Sequence, residues 1–449
     1  MKQLSFSFVC LLLLAGCTSH YLPHKVAYIK ERSCDQAGAE AVWQRYECRD
    51  ALCESDVAQR HPDGLSRFGA VSIALENSPD LQAVFEELGI SRAELKQAAL
   101  YSNPEFHAFW NFPLDPEFMA SESYMLQTFF QLSDLWEVPL RKNVAKDQLE
   151  IITLKILTII LNVTRDVKQA YNECVYAQEN LLLTQYITQE IRALRDRIYY
   201  RQQFGYTIDF DKWLADATVG TWHARIIDRE NDLATAYIKL RRILGIEVSS
   251  SEVPLTDSLL TLTHVPDIQN IIDIAMRNRP ELHMACFNVQ KAEHTLKFER
   301  SRVFKDIEFG LEHERGFGPP RGTGPVFRLD VPIFDMNQAQ VMRAKYFVAK
   351  AEQEYRITCF NVREEVALAY GNVNAFSKQV IVYDEVVIPA QEKARQFADQ
   401  YLASGQMNMV VLLQAFVMLY KQELRALRIQ FQYANFIVDL ERAIACNLI

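Results

Sequence analysis

The chain is short of the residues that punctuate loops: it has 15 glycines and 15 prolines in 449 residues, which argues against a loop-rich fold and suits long helices. After its first 17 residues it also lacks any apolar run of the ~20 residues that a membrane-spanning helix needs. The richest stretch, Leu149–Val163, is interrupted by Lys155, Thr153, Thr158 and Asn162. Any crossing of a bilayer therefore falls to strands. Basic charge is in the minority, 48 Lys and Arg against 57 Asp and Glu for a net charge of −9. With no polybasic block, nucleic acid is excluded as a partner. The nine cysteines are irregularly spaced and form no disulfide framework, although Cys34, Cys48 and Cys53 are close enough for one bridge in an oxidising compartment. Cys48, Cys53 and His61 lack zinc-finger spacing. His313-Glu314 is not followed by the second histidine of a zinc-hydrolase helix. There is no glycine-rich phosphate loop and no nucleophile elbow, so we expect neither an enzyme nor a cofactor.

What is present starts at the first residue. Lys2 precedes a short apolar stretch from Phe6 to Leu14, followed by Ala15-Gly16-Cys17. A basic start, a short apolar centre and small residues read as a secretory signal. Leu14-Ala15-Gly16-Cys17 resembles the bacterial lipobox, which implies cleavage after residue 16 and acylation of Cys17. Thr18 stands where lipoproteins kept in the inner membrane often have Asp, so the outer membrane is expected. A plain signal peptide with an incidental cysteine is the alternative.

The chain repeats itself. Ala74, Asn77, Pro79 and Leu81 match Ala275, Asn278, Pro280 and Leu282, and Phe130–Leu135 aligns with Leu329–Phe334 at nearly the same offset. Repeats of this kind define the architecture. The sequence divides into a signal (1–16), a lipidated N-terminal segment (17–67), a first repeat (68–246), a linker rich in serine and proline (247–267) and a second repeat (268–449). Each repeat is expected to hold a leading helix (68–102 and 268–303), a β-hairpin (104–132 and 306–334), a long helix (141–203 and 338–403) and a return helix (210–245 and 408–446). In the second long helix Cys359, Val362, Val366, Ala369, Val373, Phe376, Val380, Tyr383, Val387, Ala390, Ala394, Phe397 and Tyr401 form a seam of mean period ~3.5, the spacing of coiled-coil packing. Its counterpart runs through Ile160, Val163, Val167, Ala170, Cys174, Ala177 and Leu181. Pro389 is expected to kink the second helix or end it.

The hairpins alternate. Phe106, Ala108, Trp110 and Phe112 oppose Glu105, His107 and Asn111, with Phe109 the exception; Tyr124, Leu126, Phe130 and Leu132 oppose Gln127 and Gln131. Ile307, Phe309 and Leu311 oppose Glu308, Glu312 and Glu314, and Phe327, Leu329, Val331 and Ile333 oppose Arg328 and Asp330. Segments of about 9 to 11 alternating residues suit tilted membrane strands, although a half-buried soluble sheet gives the same pattern. Four strands cannot close a barrel, and an open edge in lipid leaves backbone groups unpaired. Membrane strands would therefore have to be pooled among chains, and about eight fill their own interior while about twelve leave room for water.

Together the leader, the two halves, a hairpin in each, the seam helices and the glycine turns resemble the TolC-type outer membrane efflux proteins over about residues 68–446. "SNPEF" (102–106) is similar to that family's start of the first strand, and "IPAQEKARQFADQYLASGQMNMVVLLQA" (388–415) to its helix end, turn and return helix. Pro332-Ile333-Phe334-Asp335-Met336-Asn337-Gln338 is similar to a motif of the heavy-metal (cobalt–zinc–cadmium type) subgroup, with Ala339 where glycine is usual. Val138-Pro139-Leu140-Arg141-Lys142 departs from that subgroup by lacking glycines. The resemblance implies a mixed, mainly α fold of two tandem repeats. Long antiparallel coiled-coil helices would form a periplasmic α-barrel, and four membrane β-strands per chain would form a 12-stranded barrel in a homotrimer in outer membrane lipid. It implies a passive exit duct for a tripartite efflux pump, served by a periplasmic adaptor and an inner-membrane pump of the resistance-nodulation-division type, with metal cations as substrate. A drug-efflux or type I secretion duct of the same fold is the alternative, and a non-pore coiled-coil scaffold lipoprotein is an alternative of another class.

The resemblance also implies that the two glycine turns close a periplasmic aperture. Gly205, Asp209, Asp211, Gly405, Gln406 and Asn408 are its candidates. Asp209 and Asp211 either form acidic rings that attract cations or cap the return helix. Glu308, Glu312, Arg328 and Asp330 are the lumen-facing strand candidates. Met407 and Met409 are read as packing, and His283, Met284 and Cys286 would be fanned around a helix rather than gathered on a metal.

Overall fold

A computed structural model of the chain describes residues 21–43, 57, 59–112, 123–246, 254–259, 262, 265–316, 321–404 and 409–447. The signal, Cys17, Cys48, Cys53 and most of the linker lie outside the described residues, and so does any bridge involving Cys48 or Cys53.

In chain order the elements are α1 (Tyr21–Ala37), α2 (Arg67–Asn77), α3 (Pro79–Ala98), β1 (Glu105–Asn111), β2 (Ser123–Gln131), α4 (Asp134–Gln203) and α5 (Asp209–Leu244). The second half follows with α6 (Ile268–Asn278), α7 (Pro280–Ser301), β3 (Ile307–Arg315), β4 (Gly322–Leu329), α8 (Gln338–Val382), α9 (Ile388–Ser404) and α10 (Met409–Ile444). The leading helices, expected as one piece each, are both broken in two before a proline. Ser78 and Arg279 take extended ψ values of 118° and 117° because the ring of Pro79 or Pro280 disfavours a helical residue before it. Each proline then opens the next helix, where its missing N–H costs nothing.

α4 has 70 residues, about 105 Å at 1.5 Å per residue. A compact chain of this length would be only about 60 Å across, so α4 is a stave and not part of a globule. It starts at Asp134, seven residues before the expected position, with Pro139 inside. A proline this close to the N-terminus removes one backbone hydrogen bond without ending the helix.

Burial follows the seam. Val362, Val366, Ala369, Val373 and Val380 are buried, as are Ile160, Val167, Ala170, Cys174 and Ala177 in the first half. Beyond Val380 the prediction slips by one residue. Ala390, Ala394 and Phe397 face solvent, while Gln391, Arg395 and Ala398 turn inward. The cause is a π turn at Tyr383–Val387 between α8 and α9, which adds one residue to the helical path and rotates everything after it. Pro389 sits just beyond this turn, so the helix neither breaks nor stops.

Three apolar clusters hold the helices together. One joins α1, α2, α3 and parts of α4 and α5. A second joins α6, α8 and the C-terminal part of α10. The third, at the far end of the shaft, joins Ile187, Ile191 and Leu194 of α4 to Trp222 of α5 and Leu412 and Phe416 of α10. Between the first two lies an ion network around one buried arginine. Arg279, 4 % exposed, reaches Glu281 at 3.2 Å and Glu365 at 2.7 Å, and donates to the Ala443 carbonyl at 2.9 Å. Arg442 holds the same two glutamates from α10.

Candidate functional site

The strands form one four-stranded antiparallel sheet in the order β1-β2-β3-β4, so the two hairpins meet at β2 and β3 and the outer edges of β1 and β4 pair with no described strand. The register puts opposite residues on a common face. Phe106 faces Thr128, Trp110 faces Tyr124, Thr128 faces Leu311 and Phe309 faces Phe327. On this face Phe106, Trp110, Phe130, Leu311, Phe327 and Leu329 are 47–68 % exposed. Near the end that carries the connecting loops, the apolar band meets polar groups. His313 lies 3.5 Å from the Tyr124 hydroxyl and 2.7 Å from the Thr323 hydroxyl. An apolar band rimmed by aromatic and polar groups is what a sheet facing lipid presents.

The opposite face is mainly polar, although Phe109, 53 % exposed, Met125 and Val326 also lie on it. Arg328 pairs with Glu308 at 2.8 Å, Gln127 donates to Glu312, and His107 and Gln131 share the surface. Phe129 is buried on this face beneath the Arg328 guanidinium, 4.2 Å from the ring centre. Gly310 makes room for it, because a Cβ there would come within 2.7 Å of both the Phe129 ring and the Thr128 carbonyl. Of the lumen-facing candidates, Glu308, Glu312 and Arg328 therefore share one face. Asp330 falls outside, since β4 ends at Leu329 rather than running to Phe334. The strand instead begins earlier, at Gly322, and takes in Pro325 opposite Leu311.

At the far end of the shaft the first turn is closed by Gly205, at φ 75°. The Tyr206 amide donates to the Arg201 carbonyl at 3.1 Å and the Gly205 amide to Gln202 at 2.9 Å, the paired bonds of a helix end that needs a left-handed residue. Asp209 and Asp211 occupy the first turn of α5, while the cap position is Ile208. Neither carboxylate is the N-cap; both sit where the helix dipole favours anions. Asp209 is exposed and accepts from Gln202 Nε2 at 2.9 Å, and Asp211 is half-buried. Around them stand side chains that the sequence reading passed over: Tyr200, Phe204, Tyr206, Ile208, Phe210 and Trp213, each at least 60 % exposed. The aromatic density of residues 199–213 was the available signal. Further back along the shaft, Arg395 of α9 ties to α4 through the Tyr186 hydroxyl at 2.7 Å. The Tyr199 hydroxyl is pushed above its ordinary pKa by its hydrogen bond to Asp216, and burial pushes the Tyr420 hydroxyl up further. Gly405, Gln406 and Asn408, with Met407, lie outside the described residues; Met409 opens α10 and is buried.

His283 and Cys286 are exposed while Met284 packs against the first core cluster. Among the described residues no three His, Cys, Asp or Glu side chains gather as a metal site, and no helix is long and apolar enough to cross a membrane.

Residues 271–445 match the family model described as outer membrane efflux protein. No curated protein sequence matches the chain. Among solved structures the fold is similar to that of CusC, described as forming a transmembrane channel (TM-score 0.72, 16 % identity, 91 % of this chain and 97 % of that one). It is also similar to the CmeC outer membrane channel of Campylobacter jejuni (0.69, 16 %, 92 % and 91 %) and to the MtrE outer membrane channel of Neisseria gonorrhoeae in its open state (0.70, 17 %, 84 % and 88 %). The long helices and single four-stranded sheet are thus the fold of outer membrane channels.

Proposed function

We propose that this chain, whose residues 271–445 match the family model described as outer membrane efflux protein, is the outer membrane exit duct of a tripartite efflux pump. The observation that carries this is the sheet, with one face apolar and exposed, the other mainly polar, and both edges unpaired among the described strands. In lipid such edges must be paired, and a neighbouring copy of the same sheet supplies the partner. Three copies pool about twelve strands, enough for a water-filled barrel, and their shafts continue it as a helical cylinder through the periplasm. The polar face bearing Glu308, Glu312 and Arg328 then lines the lumen. The turn at Gly205, with Asp209 and Asp211, lies at the periplasmic aperture, for which Gly405, Gln406 and Asn408 are the candidates from the second half by sequence.

The exposed aromatic tip offers an apolar surface for the periplasmic adaptor, which links the duct to an inner-membrane pump of the resistance-nodulation-division type. Acylated Cys17 anchors each copy in the outer membrane, and the channel is passive, without catalysis. Metal cations are the substrate this reading favours, supported by the acidic first turn of α5 and the motif at Pro332–Gln338. Planar bilayers test the duct. Purified protein should give stepwise ion conductance; a well-folded trimer that conducts nothing would return the protein to the scaffold class.

A further inference from the structure

A cavity of about 500 Å³ lies in the helical shaft where α4, α5, α8 and α10 meet. Arg225 is 16 residues into α5, about 24 Å from the tip at 1.5 Å per residue. Two helices turn basic stripes into this cavity: Arg225 and Arg229 from α5, and Lys421, Arg425 and Arg428 from α10. The spacings of three and four put each set on one helical face. No carboxylate lines the cavity among the described residues. Among the described residues only Arg229 of these five has an ion-pair partner, Asp232 at 2.7 Å. Arg225 lies instead over the Trp222 ring, 4.4 Å from its centre, and Lys421, Arg425 and Arg428 pair with no described carboxylate.

The cluster is not a by-product of composition, because acidic residues outnumber basic ones 57 to 48 in this chain. Like charges at helical spacing oppose one another, so the arrangement is least costly when an anion sits between the stripes. The wall suits one. Burial raises the pKa of the Tyr176 hydroxyl, Arg428 and Arg229 pull it back and Asp232, the partner of Arg229, raises it, so α5 and α10 converge on a common point beside Tyr176. Asn180 and Gln379 add neutral donors from α4 and α8. Guanidinium forks match the oxygens of phosphate in pairs.

We propose that this cavity binds a multivalent oxyanion of the phosphate class. The site is built by the helices of one chain and does not rest on the duct reading. The test is calorimetric titration of the purified full-length protein with inorganic pyrophosphate at about 0.15 M salt, where distant surface charges are screened. Saturable binding is expected, and Arg425→Gln combined with Arg428→Gln should weaken it about tenfold or more. Both positions are exposed, so circular dichroism should show the fold intact. Lys350→Gln, at an exposed ion pair elsewhere on α8, should bind as the wild type does. A second titration with short-chain phosphatidic acid separates the sources of the group: tighter binding than pyrophosphate assigns a lipid headgroup and weaker binding a soluble anion, and either keeps the site. Absence of pyrophosphate binding by the wild type, equal binding by the double variant, or binding of a polyglutamate peptide in place of pyrophosphate overturns it. Conductance in bilayers is unaffected by that failure, so the two readings fall separately.

Discussion

Phe327 offers a perturbation whose sign differs between lipid and water. It lies on the apolar face of β4 and is 68 % exposed in the single chain, so replacement by lysine in a water-soluble sheet would cost little or even help. β4 has eight residues, about 26 Å at 3.3 Å per residue, or roughly 19 Å of depth at a 45° tilt. Phe327 is one and a half residues from the centre of the strand, which places it within about 4 Å of mid-depth on the same tilt. A lysine there should cost about 2–4 kcal/mol per chain in a bilayer, a factor of roughly 30 to 1,000 in the folding equilibrium. Val326, its neighbour, shares the polar face with Gly310, and Val326→Lys should change folding by less than about 1 kcal/mol. The assay is urea-dependent folding of the protein into phospholipid vesicles. If Phe327→Lys folds as well as Val326→Lys, the assignment of the aromatic face to lipid is wrong.

Other outcomes follow from individual side chains. Arg279→Ala leaves Glu281 and Glu365 with Arg442 as their single cationic partner and the Ala443 carbonyl unpaired, and should lower stability by about 1–3 kcal/mol, read as a shift in the denaturation midpoint with the fold retained. Asp209→Ala with Asp211→Ala should weaken cation selectivity and block by divalent ions; an unchanged reversal potential removes both from the aperture. Cys17→Ser should abolish acylation, measured by the loss of the lipid mass, while trimers still form; loss of the trimer would mean that the lipid does more than anchor.

Much of this architecture can be read in the chain because its signals are periodic. The seam through Val362, Val366, Ala369 and Val373 and its counterpart through Val167, Ala170 and Cys174 are buried, because a heptad-like pattern over many turns has one structural solution. The strand faces were legible for the same reason, since alternation survives small errors at the ends. What the pattern did not show was local. The π turn at Tyr383–Val387 has no composition of its own, yet it moves Phe397 from the seam to the surface. α4 continues through Pro139 because the proline falls near its start, and α2 and α6 stop before Pro79 and Pro280 because those prolines follow residues free to extend. The basic cavity is not legible in the sequence because its stripes, at Arg225 and Arg229 and at Lys421, Arg425 and Arg428, are nearly two hundred residues apart in the chain and each alone is an ordinary solvated helix face.

In the proposed duct the outer edge of β1 in one subunit pairs with the outer edge of β4 in the next, and an engineered disulfide reports on that contact. Cysteine at Ala108 on β1 is combined in turn with cysteine at Thr323, Pro325 or Phe327 on β4, all on the apolar face. Neighbouring strands bring such pairs to about 4.5–5.5 Å between Cα atoms, within reach of a disulfide. At least one pair, oxidised in the membrane, should run as covalent dimers and trimers on a non-reducing gel and collapse to monomer on reduction. If no pair links subunits although the single-cysteine proteins insert and fold normally, the strands do not form a shared barrel.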